Sequence, residues 1–237
     1  MRRAPAVVAA VALLAGCGGS EDTGEATVFA ASSLSQVAPA VDPDAAVVFG
    51  GSNDLAAQIR DGAEADVLLS ASAAPFEELG DLVEEAVAFA SNELVLVVPA
   101  HNPSETTELS DLATAGVKLV LGAEGVPVGD YAREALTAAG LGEALAQVVS
   151  LEEDVKGVLG KVALGEADAG IVYATDAKAA GDDVRAYPVP ERYQPEILYY
   201  AALVAPASDA GEAYVERLLG AEGEDVLRDA GFLPPPS

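Results

Sequence analysis

Short apolar runs rich in Val, Ile and Leu alternate along this chain with stretches whose apolar residues recur at helical spacing, and small residues separate the two. Thr27-Val28-Phe29-Ala30-Ala31 gives way to Ser32-Ser33, after which Leu34, Val37, Ala38 and Val41 repeat as a helix face. This predicts a strand, a tight turn and a helix with Ser33 at its N-cap. Residues 46–49 predict a buried strand, Gly50-Gly51-Ser52-Asn53-Asp54 a turn, and Leu55, Ala56 and Ile59 a helix ending at Gly62. A third strand follows at 65–70 and a helix near 75–82. The continuous apolar run at 93–99 is typical of a strand buried on both faces. A short helix or turn at 109–113 and a strand at 117–121 lead into a Gly-rich turn, Gly122 to Asp130, and a helix over 131–139. Beyond a short strand at 148–149, Asp154 caps a helix presenting Val155, Val158, Leu159 and Val162. A strand at 169–173 ends in Tyr173, a second long apolar run spans 197–204, and helices over 209–219 and 223–230 precede a Pro-rich tail.

Alternating strands and helices joined by short turns define an α/β fold with largely parallel sheets, and ligands in such sheets sit at the carboxyl ends of the strands. Each strand-to-helix turn offers free backbone N–H groups, the positive end of a helix dipole and, at Ser33 and Ser52, a hydroxyl. Together these make an anion site. The plainer reading of Ser33 is that it only caps its own helix. Likewise the two long apolar runs are either crossovers between two lobes or members of one continuous sheet.

Charge narrows the choice of partner. With 39 acidic and 12 basic residues the net charge is −27, which argues against nucleic acid, because phosphate binding needs Lys and Arg. An anion bound by such a chain gains nothing from long-range steering, so local dipoles must hold it. Met1-Arg2-Arg3, the apolar stretch 4–13 and Leu14-Ala15-Gly16-Cys17 read as an export signal, too short to span a membrane. Leu-Ala-Gly-Cys resembles the lipobox of bacterial lipoproteins, which implies lipidation at Cys17 and a polar tether through Glu25. One cysteine allows no disulfide within the chain. For enzymes the residues offer little. His101, the only histidine, lies in a Pro/Asn loop outside the turns, and no Gly-x-Ser-x-Gly elbow, P-loop or His/Cys metal spacing is present. A secreted serine hydrolase would need His101 beside Ser33 or Ser52.

Five segments, taken in order, resemble the molybdate-binding proteins of bacterial ABC importers. They are Thr27 to Leu34, Phe49 to Ile59, Val126 to Ala132, Glu153-Asp154-Val155 and Gly170-Ile171-Val172-Tyr173, and the resemblance spans about 26–233. It implies a two-lobed periplasmic-binding-protein fold of type II, with two crossover strands as hinge, closing on MoO₄²⁻ or WO₄²⁻. Residues 1–16 are then signal peptide, 17–25 lipidated tether, 26–95 with 202–237 lobe one, and 96–201 lobe two. By this resemblance Ser33 and Ser52 donate hydroxyl and amide, Val128 and Val155 donate backbone N–H, and Tyr173 donates its phenol. Molybdenum is held only as its oxyanion, with no direct metal ligand, no cofactor and no catalysis. The implied partners are a membrane permease and, through the lipid anchor, the membrane; the protein would be an extracytoplasmic monomer. Sulfate or another tetrahedral oxyanion is the alternative ligand. Three departures stand out: Pro39 and Asp42-Pro43 shorten the first helix, Ser32 competes with Ser33 for the hydroxyl role, and Asp54 and Asp130 adjoin the binding turns.

Overall fold

The structure, a computed structural model, describes residues 24–236, so the signal segment and Cys17 lie outside the described residues. In chain order the elements are β1 (Thr27–Ala31), α1 (Ala38–Val41), β2 (Ala46–Gly50), α2 (Ser52–Arg60), β3 (Val67–Ser70), α3 (Ala74–Leu79), β4 (Val87–Asn92), β5 (Leu94–Pro99) and β6 (Leu119–Gly122). There follow α4 (Pro127–Ala138), β7 (Val148–Glu152), α5 (Val155–Ala163), β8 (Ala169–Tyr173), α6 (Ala174–Ala180), β9 (Val184–Pro188), β10 (Ile197–Leu203), α7 (Asp209–Leu219) and α8 (Ala221–Ala230).

The strands form two five-stranded mixed sheets, β2-β1-β3-β10-β4 and β7-β6-β8-β5-β9, each the centre of one lobe. In lobe one β1 runs parallel to β2 and β3; in lobe two β6 runs parallel to β7 and β8. Side chains of successive strand residues point to opposite faces. Accordingly Phe29 and Leu68 pack with Leu55, Ile59, Phe76 and Leu79 of α2 and α3, while Val28, Ala30, Val67 and Leu69 join the larger core. Each fully buried Val or Leu among these stabilises the fold by about 1.5–3 kcal/mol.

The chain crosses between lobes twice, at Glu93 between β4 and β5 and over 189–196 between β9 and β10. Gln194 ties the crossings together: its Oε1 accepts from Leu94 N–H and its Nε2 donates to Leu94 C=O, both at 2.9 Å. The two apolar runs are therefore not partners. β5 pairs with β8 and β9 in one sheet, β10 with β3 and β4 in the other. β10 pairs in the first sheet from Ile197, and Leu94 pairs in the second, opposite Tyr173.

Several elements differ from the sequence pattern for identifiable reasons. β4 and β9 are not predicted, because β4 is rich in small residues and β9 is an edge strand carrying Arg185 and ending at Pro188. α6 follows Tyr173 directly, without a turn to announce it. β2 is an edge strand with Val48 and Phe49 about two-fifths exposed rather than buried. The helix expected from Leu34 is broken into a 3₁₀ turn, Ser32–Leu34, and the four-residue α1 with Pro39 in its first turn. In the opposite direction, α4 begins at Pro127 rather than at 131. Proline suits a first helical position, and Gly129 lets that turn lie on Gly122, where a Cβ would come within 2.4 Å of the Gly122 carbonyl oxygen.

Candidate functional site

The parallel strands of both lobes aim their carboxyl ends at one cavity between the lobes, the position the sheet rule assigns to a ligand. Lobe one contributes Ala31, Ser32 and Ser33 after β1, Gly50, Gly51 and Ser52 after β2, and Ala71 after β3. Lobe two contributes Val126, Pro127 and Val128 after β6, Asp154 and Val155 after β7, and Tyr173 at the end of β8. Thus Ser33, Ser52, Val128, Val155 and Tyr173 come together from the ends of five separate strands, and each is at most 5 % exposed. Only about 20 Å³ is open to the centre of a water molecule, little more than one water requires, so the space suits an ion of a few atoms.

The hydroxyls are oriented by their neighbours. Neither serine caps a helix: the caps before the 3₁₀ turn and before α2 are Ala31 and Gly51, with no side-chain cap bond at either. This corrects the N-cap reading of Ser33. Instead Ser33 Oγ accepts from Tyr199 Oη at 3.0 Å, and Ser52 Oγ accepts from Ala71 N–H at 3.1 Å. A hydroxyl whose oxygen is already accepting keeps its one proton for another partner. Tyr173 Oη is buried with no hydrogen-bond partner among the described residues. Burial pushes its pKa well above the usual tyrosine value, and Tyr199 adds to the effect, so it stays a donor. Ser33, Ser52 and Tyr173 thus each have a hydroxyl proton available to a ligand; Ser32 also lines the cavity and is as buried as Ser33.

Backbone donors supplement them. α2 and α4 start at the cavity without side-chain caps. α5 starts there too, and Asp154 caps it through Gly157 N–H at 2.8 Å rather than through Val155. Three helix N-termini thus bring partial positive charge to one point. Among the described residues no Lys or Arg lines the cavity. Lys156, next to Val155, is 2.8 Å from Asp176 Oδ1. Burial raises the Asp176 pKa and Lys156 opposes the rise. The flanking acids face elsewhere: Asp130 is exposed and accepts from Gly125 N–H at 3.0 Å, and exposed Asp54 is not among the lining residues. His101 is exposed and is likewise outside the lining.

The lobes touch at the rim. An added Cβ on Gly51 would sit 2.3 Å from the Glu153 carbonyl oxygen across the cleft. Tyr131 Oη, from α4, donates to Ala71 C=O of lobe one at 3.4 Å. Sequence reasoning misses Gly51, Ala71, Tyr131 and Tyr199. Only Gly51 carries a visible signal, as half of a Gly-Gly pair; Tyr199 is hidden inside an apolar run.

Comparison with known proteins now adds to this geometry. The family model described as bacterial extracellular solute-binding protein matches residues 26–233. The chain is 34 % identical over 192 residues to the molybdate-binding protein ModA of Mycobacterium tuberculosis H37Rv, covering 79 % of this chain and 72 % of that one. It is 31 % identical over 232 residues to ModA of Escherichia coli K12, covering 89 % and 90 %. The solved periplasmic molybdate-binding protein of Azotobacter vinelandii shares the fold, with a TM-score of 0.76 at 21 % identity over 90 % of this chain and all of the other. Two α/β lobes closing on a cavity of donors, and a match along nearly the whole described chain, place this protein in the family of bacterial extracellular solute-binding proteins.

Proposed function

We propose that this protein captures molybdate or tungstate in the interlobe cavity and presents it to the membrane permease of an ABC importer. The observation that carries the ligand class is the buried Tyr173 hydroxyl, which among the described residues has no partner and lines a cavity without Lys or Arg. A buried donor without a partner costs about 1–3 kcal/mol. A cation cannot relieve that cost, and an oxyanion relieves it more strongly than a neutral acceptor, because hydrogen bonds to charged groups are the stronger ones. Ser33, Ser52 and Tyr173 donate through hydroxyls, Val128 and Val155 through the main chain. Hydrogen bonds to a charged group contribute roughly 1.5–3 kcal/mol each. A handful exceeds the cost of association and supports Kd values in the nanomolar to micromolar range. The ligand in the relatives' names supports molybdate over the sulfate alternative. No step of catalysis is assigned to the site, and the protein acts as a monomer.

Purified protein should gain thermal stability with molybdate or tungstate, and little with sulfate or phosphate. Ligand at a hundred times Kd adds about 2.7 kcal/mol. Equal shifts with sulfate would overturn molybdate and leave an oxyanion binder; no shift with any oxyanion would overturn the reading altogether. The protein works outside the cytoplasm, held to the membrane by lipid on Cys17. Cell fractionation of Cys17→Ala tests this, the expected result being release from the membrane fraction with unchanged molybdate affinity.

A further inference from the structure

Ser33 donates usefully only if its hydroxyl proton points into the cavity, and the neighbours behind it decide this. Asn92 ends β4 at the first crossing, where its Oδ1 accepts from Glu93 N–H at 2.9 Å. A backbone N–H can only donate, so this bond fixes which end of the Asn92 amide is oxygen. The Nδ2 end then donates to Thr175 Oγ1 at 2.9 Å and lies 3.5 Å from Tyr199 Oη. With a donor at its oxygen, Tyr199 has one proton left, and Ser33 Oγ is 3.0 Å away to receive it. Direction thus passes from Glu93 to Asn92, Tyr199 and Ser33, and every member from Asn92 on is buried. No other role is evident for the Tyr199 hydroxyl: it lies outside the cavity lining, and its ring is already held edge-on by Phe89, Tyr173 and Phe232 at 6.3, 5.8 and 5.1 Å.

We infer that Tyr199, itself oriented by Asn92, is a positioning residue that turns Ser33 into an obligate donor toward the bound oxyanion. The inference rests on the oxyanion reading above. Without the phenol, Ser33 is free to turn its proton to other acceptors, and the anion must draw it back. A double-mutant cycle tests this with molybdate as the probe, measured by calorimetry on the parent, Tyr199→Phe, Ser33→Ala and the double variant. Phenylalanine keeps the three edge contacts, and circular dichroism checks the fold. Tyr199→Phe should weaken molybdate binding about five- to tenfold in the parent. It should have almost no effect once Ser33 is alanine, because the only group it acts through is gone. An equal loss in both backgrounds would reduce Tyr199 to a packing residue and overturn the inference. So would an unchanged affinity in Tyr199→Phe or in Ser33→Ala. A parent that binds no oxyanion overturns the underlying reading instead, an outcome distinct from these.

Discussion

In the proposed site Tyr173, Ser33 and Ser52 would donate through hydroxyls and the two valines through backbone N–H, and this division can be measured. A hydroxyl donor is lost when its oxygen is lost, so Tyr173→Phe or Ser52→Ala should leave one anion oxygen bare. Losing one charge-assisted bond costs roughly 1.5–3 kcal/mol, or about ten- to a hundredfold in molybdate affinity by calorimetry. Tyr173→Phe should at the same time leave ligand-free stability unchanged or raise it, because the missing hydroxyl has no partner to lose. A clear fall in ligand-free Tm would mean that the phenol has a structural partner. Ser52→Ala differs here, since Ser52 Oγ accepts from Ala71 N–H and its removal also frees a buried donor.

At the scale of elements, the helix starts matter more than the helix bodies. α5 begins at Val155 behind an extended Asp154, with φ −155° and ψ 174°. That conformation is the one a residue preceding proline adopts, and a first helical position tolerates proline because its N–H makes no bond within the helix. Val155→Pro should therefore fold, keep its circular dichroism and lose molybdate affinity about tenfold or more, the equivalent of one charge-assisted bond. Val155→Ala should bind nearly as the parent does. A folded Val155→Pro protein of parental affinity would remove the start of α5 from the site. α4 follows the same logic with Pro127 already at its first position, which leaves Val128 as its leading N–H.

For the molecule as a whole, closure depends on how near the lobes can come. Gly51 has φ −65° and ψ 140°, open to any residue, so its backbone conformation does not require glycine. Space does: a methyl there would lie 2.3 Å from the Glu153 carbonyl oxygen of the other lobe. Overpacking of this kind costs about 1–3 kcal/mol. In Gly51→Ala most of the cost falls on the approach of the lobes, since the nearest lobe-one atom, Asn53 Oδ1 at 3.1 Å, belongs to a side chain that can give way. The lobes should then keep nearly all their stability while molybdate affinity drops about fivefold or more. Small-angle scattering with saturating molybdate should show a larger radius of gyration than the parent under the same conditions. An unchanged affinity would mean that the Gly51–Glu153 approach does not limit closure.

What the sequence determined by itself was everything carried by local pattern. Apolar runs at β1, β3 and β5 and helical spacing at α2 and α5 follow from which side chains must be buried, and the family resemblance rests on small residues at turns where backbone must meet ligand. The resemblance supplied all five candidate positions; local pattern alone marked the serine turns after β1 and β2, because a strand's carboxyl end followed by Ser or Gly is a local feature. Tertiary structure decided what depends on distant neighbours. β4 and β9 exist as strands because β10 and β5 pair with them, although their own sequences are too mixed to predict it. The crossing before Ile197 follows from that pairing, which apolar runs cannot specify. Ser33 reads as a cap in sequence and becomes an acceptor for Tyr199, 166 positions away, only in the fold. Gly51 likewise shows its purpose only against Glu153. A hydroxyl's direction and a lobe's closest approach are set by whatever lies opposite in space, and linear order carries no record of it.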